Sequence, residues 1–63
     1  MERKLSHPKL GNRIVCREGE VVTIYTDSLD QLDEMVCKSE LTAKAYEHFI
    51  LLYHADLGYK PVS

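Results

Sequence analysis

The chain has 63 residues, of which 8 are lysine or arginine and 10 are aspartate or glutamate, giving a formal charge of −2. This length supports one domain at most, and a domain so small usually depends on a metal, on disulfides or on a partner subunit for stability. The near balance of charge gives no electrostatic drive towards nucleic acid or an anionic membrane, although a local basic patch would be enough for either.

No segment of the sequence has the pattern of an export signal or a membrane span. The first ten residues are charged and lack the apolar stretch of a signal peptide. The apolar run at residues 49–53 is far shorter than the ~20 residues of a spanning helix. We therefore expect a cytoplasmic protein in which Cys16 and Cys37 are reduced and form no structural disulfide.

Residues 1–12 are predicted to form a flexible N-terminal arm. Pro8 and the Gly11-Asn12 pair interrupt this segment, which has no sustained hydrophobic periodicity. The arm and the residues just after it hold five basic side chains, namely Arg3, Lys4, Lys9, Arg13 and Arg17. The arm is followed by a single predicted domain at residues 13–58 and a short tail at residues 59–63.

The best strand signal of the chain is Glu20–Thr26, which is rich in β-branched residues. Alternation directs Val22 and Ile24 to one face and Thr23 and Tyr25 to the other. Both faces are partly apolar, so we expect neither to be left uncovered.

Two pairings would satisfy the backbone of this strand. One is a local hairpin with Arg13–Arg17 across the turn signal Glu18-Gly19, and the other is pairing with the same strand of a second copy. The sequence leaves both open, together with the question of whether Ile14–Cys16 forms a second strand.

Two helices are predicted after the strand. Ser28 and Gln31 fit a capping box, and Leu29, Leu32, Met35 and Val36 provide an apolar face, so Ser28–Cys37 is predicted to be a short helix. Ser39 is a natural N-cap for a long helix, Glu40–Leu57. Gly58 is a typical C-cap residue, and Pro61 prevents any continuation.

The long helix carries two adjacent apolar stripes that together span roughly 200° of its circumference, about twice the minimal core-facing stripe. One stripe is Leu41, Ala45, Phe49 and Leu52, and the other is Ala43, Tyr46, Ile50, Tyr53 and Leu57. The polar remainder is Lys44, Glu47, His48 and His54.

Because one strand and one short helix cannot cover both stripes, a homodimer is predicted. Burying the Leu41 stripe within the subunit leaves Tyr46, Ile50 and Tyr53 for the partner. The predicted dimer or partner interface consists of Val22, Ile24, Leu41, Tyr46, Phe49, Ile50, Tyr53 and Leu57.

The sequence gives little support for a metal site or for catalysis. Cys16, Cys37, His48 and His54 are potential zinc ligands, but no C-x2-C pair exists and the two histidines lie on different helix faces. A Cys–His nucleophile would also need an orienting group and an oxyanion hole, for which this chain has little scaffold. We predict no catalytic residues, no metal and no cofactor.

Across its whole length the chain resembles the small early accessory proteins of 63 residues that lambdoid temperate phages encode between their exonuclease and excisionase genes. The resemblance rests on chain length, on the order strand Glu20–Thr26, short helix Ser28–Cys37 and long helix Glu40–Leu57, and on the apolar character of that last helix. It implies a dimer in which all three elements make contacts between subunits. It also implies a non-enzymatic role that favours lytic development, and it transfers no catalytic or metal residues.

The sequence thus predicts an α+β fold with one principal strand followed by two helices, assembled as an intertwined homodimer. The predicted function is regulatory, through binding of a host or phage protein in a hydrophobic cleft, without a small-molecule substrate or a membrane. The alternative is a small DNA-associated regulator that uses the basic segment Arg3–Arg17, and salt-dependent retention on duplex DNA would favour it.

Overall fold

The computed structural model describes residues 1–62, which form one antiparallel sheet of five strands and one helix packed on it. The elements in chain order are β1 (Glu2–Ser6), β2 (Arg13–Glu18), β3 (Val21–Thr26), β4 (Gln31–Val36), α1 (Glu40–Asp56) and β5 (Lys60–Val62). The fold is α+β, but the predicted order of one strand followed by two helices is wrong.

The strands are arranged in the order β4-β3-β2-β1-β5. The first four strands form a meander of antiparallel neighbours. The chain then crosses one face of the sheet as α1 and returns as β5 on the far side of β1, where Lys4 pairs with Val62. The first and last strands of the described chain are therefore neighbours.

The local hairpin is the pairing that β3 adopts. Arg13 lies opposite Thr26 and Glu18 opposite Val21, so Ile14–Cys16 does belong to a strand. Gly19 stands in the two-residue connection with a φ of 59°. Such short hairpin loops favour glycine because they require a positive φ.

The predicted short helix Ser28–Cys37 is a strand instead. Residues 31–36 pair with β3, where Val36 lies opposite Val21, and the register shifts by one residue near Leu32. The apolar spacing of this segment matched a helical face, but β3 would otherwise expose a row of unpaired N–H and C=O groups along its edge. Pairing of β3 outweighs the weak local preference for helix.

Residues 1–12, predicted to be an arm, contain β1, which is paired on both sides. Lys4 lies opposite both Ile14 and Val62. The turn that follows β1 is closed by the imidazole of His7, whose Nδ1 accepts hydrogen bonds from the backbone N–H groups of Lys9 (3.0 Å) and Leu10 (2.9 Å). The turn residues in this segment therefore mark a hairpin connection.

The long helix begins at Glu40, as predicted, and ends at Asp56, one residue before the predicted Leu57, which is its C-cap. The Oγ atom of Ser39 accepts a hydrogen bond from the backbone N–H of Thr42 at 3.1 Å, as an N-cap does. After the helix, Gly58 adopts a φ of 99°, its N–H donates to the carbonyl of Ala55, and the N–H of Tyr59 donates to the carbonyl of His54. This pair of bonds is the Schellman arrangement that ends many helices.

The core lies between α1 and the middle of the sheet. Val15 of β2 and Val22 of β3 are fully buried, and Ala43 of the helix packs on them together with Leu5 and Tyr59. Tyr59, which was assigned to a tail, is thus a core residue. Because α1 packs mainly on β2 and β3, one end of the same sheet face is left open beside it.

Candidate interaction surfaces

The helix faces the sheet with the stripe that the sequence analysis assigned to the partner. Tyr46 and Ile50 are half-buried against the core, whereas Leu41, Phe49 and Leu52 are 79%, 68% and 52% exposed. Tyr53, at 60%, is also exposed. The prediction that Leu41, Phe49 and Leu52 fill the core is therefore wrong.

The predicted interface residues divide into two groups. Val22 and Ile24 are buried beneath the helix, and Tyr46 and Ile50 pack on the core, so these four are not available to a partner in this fold. Leu41, Phe49, Tyr53 and Leu57 are exposed. We call the exposed side chains Leu41, Phe49, Leu52 and Tyr53 the outer helix stripe.

A buried ion pair determines which stripe faces inward. The guanidinium Nε of Arg17 donates to Oε1 of Glu47 at 3.0 Å, and the side chains are only 18% and 7% exposed. Arg17 lies two residues after the buried Val15 on the same face of β2, directly below α1. A carboxylate facing the core is costly unless it is paired, so Arg17 allows the Glu47 side of the helix to be buried.

An aromatic cluster closes the helix C-terminus over the sheet. The Nδ1–H of the buried His54 donates to the carbonyl of Ile50 at 2.8 Å, and its ring meets the Tyr59 ring edge-on with centroids 5.0 Å apart. On the other side of Tyr59, the Nε2–H of His7 donates to the carbonyl of Leu57 at 3.0 Å. These contacts fasten β1, α1 and β5 together and give both histidines structural roles.

An apolar groove runs between α1 and the β1–β5 end of the sheet. Its larger hollow measures about 850 Å³, and Leu5, Leu51, Tyr59 and Pro61 are among its apolar lining residues. A second hollow continues along the helix towards its N-terminus and shares Arg3, His48 and Leu51 with the first.

Basic side chains line this groove. Arg3 belongs to β1 and Lys44 to the first half of the helix. Both are exposed and take part in no ion pair among residues 1–62. Glu2 and Lys4 border the groove as part of β1, but they lie opposite Cys16 and Ile14, so their side chains belong to the other face of the sheet. The carboxylate of Glu47 also lines the groove and is bound to Arg17.

The face of the sheet opposite the helix carries Ile14, Cys16, Thr23 and Tyr25. Register places Thr23 beside Cys16 and Tyr25 beside Ile14, and no helix or strand among residues 1–62 packs over them, although Thr23 is only 7% exposed and the other three are half-buried. The expectation that both faces of the Glu20–Thr26 strand are covered is met on one face only within the subunit.

The cysteines and histidines considered as metal ligands or nucleophiles lie in different parts of the structure. Cys16 lies on the open sheet face, Cys37 packs at the edge of the core, and both are free thiols. His48 is exposed on the helix side of the sheet, while His54 is committed to the Ile50 carbonyl. Within residues 1–62, no three His, Cys, Asp or Glu side chains converge in a way that would hold a metal ion.

Sequence reasoning missed two residues that build these surfaces, Arg17 and Tyr59. The signal for Arg17 was its inward position in the alternation of β2, which requires a buried acid opposite. Tyr59 carried no comparable signal, because it follows a helix stop and precedes a proline.

Comparison of the chain with protein-family models, with curated proteins and with solved structures finds no match. The helix of the described residues is neither long enough nor apolar enough to span a membrane. The function is therefore inferred from the surfaces of the molecule alone.

Proposed function

We propose that this chain is a non-enzymatic, cytoplasmic interaction protein that acts as a homodimer and binds another protein. The observation that carries the proposal is the outer helix stripe. Monomeric soluble proteins rarely expose contiguous apolar patches beyond a few hundred Å², and larger patches mark interaction sites. The stripe holds four large apolar side chains with no cover from their own subunit.

A second copy is the occupant that the stripe fits best. A two-fold axis passing near Phe49 would pack α1 against its symmetry mate in antiparallel fashion. Every contact in such an interface occurs twice, once from each copy. Burial contributes about 1.5–3 kcal/mol for each large apolar side chain, which is substantial beside the total stability of a small domain.

The DNA-associated alternative has less support from the contacts. The segment on which it depended is part of the sheet, and two of its five cations are engaged within the chain. Arg17 is bound to Glu47, and the guanidinium of Arg13 lies 5.9 Å from the centre of the Tyr59 ring. The phage resemblance rested on an element order that the fold replaces, so the proposal does not extend to lytic development.

Sedimentation equilibrium of the wild type and of Phe49→Glu tests the dimer. We expect a wild-type dimer at micromolar concentration and a folded monomer for Phe49→Glu, because the substitution places a charge at the centre of the seam. Val36→Glu is the matched control, since Val36 is 67% exposed and lies on β4, on the face of the sheet away from the helix. A monomeric wild type, or a control that dissociates as readily as Phe49→Glu, would contradict the proposal.

A further inference from the structure

The groove beside α1 is a second candidate site, which shares Leu41 and Leu52 with the outer helix stripe. It exists because the helix covers β2 and β3 and leaves the same face of β1 and β5 open. Its volume of about 850 Å³ and its mainly apolar walls resemble those of ligand sites, which also carry a few polar groups that fix orientation. Phe49 and Tyr53 do not line the groove, so a helix packed on those two residues leaves its β1 wall open.

The charges at the groove select an anionic ligand. Arg3 and Lys44 provide two cations that take part in no ion pair among the described residues, and the carboxylate of Glu47, which also lines the groove, is bound to Arg17. Rim charges of this kind steer association and select partners of opposite charge. A purely apolar or basic ligand would leave them unused.

The carboxylate of Glu47 indicates that the ligand also donates a hydrogen bond. Oε1 of Glu47 is bound to Arg17, but Oε2 is buried and has no hydrogen-bond partner among the described residues. Glu47 lines the groove together with Arg3 and Lys44. A buried acceptor without a hydrogen bond is unfavourable, and more so when it is charged, so an N–H group that reaches it would stabilise the complex.

We propose that the groove binds a short acidic peptide segment of a partner protein, with a large apolar side chain on the floor formed by Leu5, Leu51 and Tyr59. Carboxylates next to that side chain bind Arg3 and Lys44, and one main-chain N–H donates to Oε2 of Glu47. A peptide is the ligand class that supplies all three groups at once. The inference rests on the proposed function and specifies the chemistry of its partner.

The test is selection of a displayed library of random twelve-residue peptides on the immobilised full chain, with counter-selection on Arg3→Glu. We expect enriched peptides to carry Asp or Glu within two residues of Leu, Ile or Phe. Fluorescence polarisation of the labelled peptides should then show affinity falling at least about tenfold in Arg3→Glu and in Lys44→Glu, since charge reversal replaces attraction by repulsion.

Lys9→Glu is the matched control, because it changes the net charge equally at an exposed turn outside the groove. Its affinity should stay within about twofold of wild type, as expected for a charge that makes no contact. N-methylation of the peptide amides one at a time should identify a single position where affinity falls, which is the donor to Glu47.

Absence of enrichment, enrichment of peptides without acidic residues, or an equal loss in Lys9→Glu would overturn the inference. Arg3-dependent binding of laurate without any peptide enrichment would also overturn it and assign the groove to fatty acids. The same samples are examined by sedimentation equilibrium. Arg3→Glu should remain dimeric. Loss of peptide binding by a variant that is still a dimer therefore reports on the groove and not on the dimer.

Discussion

The two sides of α1 invert the usual distribution of polarity. The side against the sheet buries the carboxylate of Glu47 and the imidazole of His54, while the side facing away exposes Leu41, Phe49 and Tyr53. Each buried polar side chain has a partner for one of its atoms, Arg17 for Oε1 of Glu47 and the Ile50 carbonyl for Nδ1 of His54. The exposed apolar groups have none within the subunit. The comparison shows that a helix can pack on its own core and still carry an apolar outer side that only a second molecule would cover.

The largest effect should come from a charge placed on the inner side. Ile50→Asp is expected to unfold the protein, because Ile50 packs on the core and a buried unpaired carboxylate is strongly unfavourable. Phe49→Asp changes the adjacent residue on the outer side and should leave the far-ultraviolet circular dichroism spectrum intact while abolishing association. Equal unfolding by both substitutions would remove the distinction between the two sides.

The next effect concerns the ion pair that holds the inner side. Glu47→Ala leaves Arg17 without its partner and should lower the free energy of unfolding by about 3 kcal/mol, as breaking buried pairs does. The double variant Arg17→Met/Glu47→Leu should recover most of that loss, because apolar groups of similar volume need no partner. Urea denaturation measures both. If the single and double variants are equally unstable, the pair has another role.

The smallest effect concerns the C-terminal end of the helix, where Gly58 lies beside His7 in the turn after β1. Gly58→Ala should cost about 1–2 kcal/mol, since a φ of 99° disfavours any residue with a Cβ atom. The added Cβ would also lie 3.1 Å from Nε2 of His7, which donates to the Leu57 carbonyl. Gly19→Ala is the comparison, because its φ is also positive but no atom lies within 4 Å of an added Cβ. A smaller loss in Gly58→Ala than in Gly19→Ala would show that the His7 contact is unimportant.

Sequence reasoning was most successful where local signals are strong. Ser39 and Gly58 defined the ends of α1, and β3 was evident from its β-branched residues. It failed where a segment gains its structure from a distant neighbour. Residues 31–36 have helical spacing but pair with β3, and β1 is held by strands from both halves of the chain.

The orientation of the helix was the second failure. Helical periodicity placed Glu47 and His54 on the solvent side, because charged and polar residues are rarely buried alone. The arginine that permits this burial is 30 residues away in sequence, so helical periodicity could not reveal it. Of the predicted interface, Leu41, Phe49, Tyr53 and Leu57 are exposed as a binding role requires, and their contact with a partner stays a prediction.

The pairing of β1 with β5 also has a kinetic consequence. Strands β1 to β4 join neighbours that are close in sequence, whereas Lys4 and Val62 come together only after the rest of the domain has been connected. Closing long loops is entropically costly and slows folding. We therefore expect the meander to form in the folding transition state and β5 to join late. Substitutions in the β2–β3 hairpin should then slow refolding, while Val62→Ala should mainly accelerate unfolding, and stopped-flow kinetics would show the opposite pattern if β5 forms early.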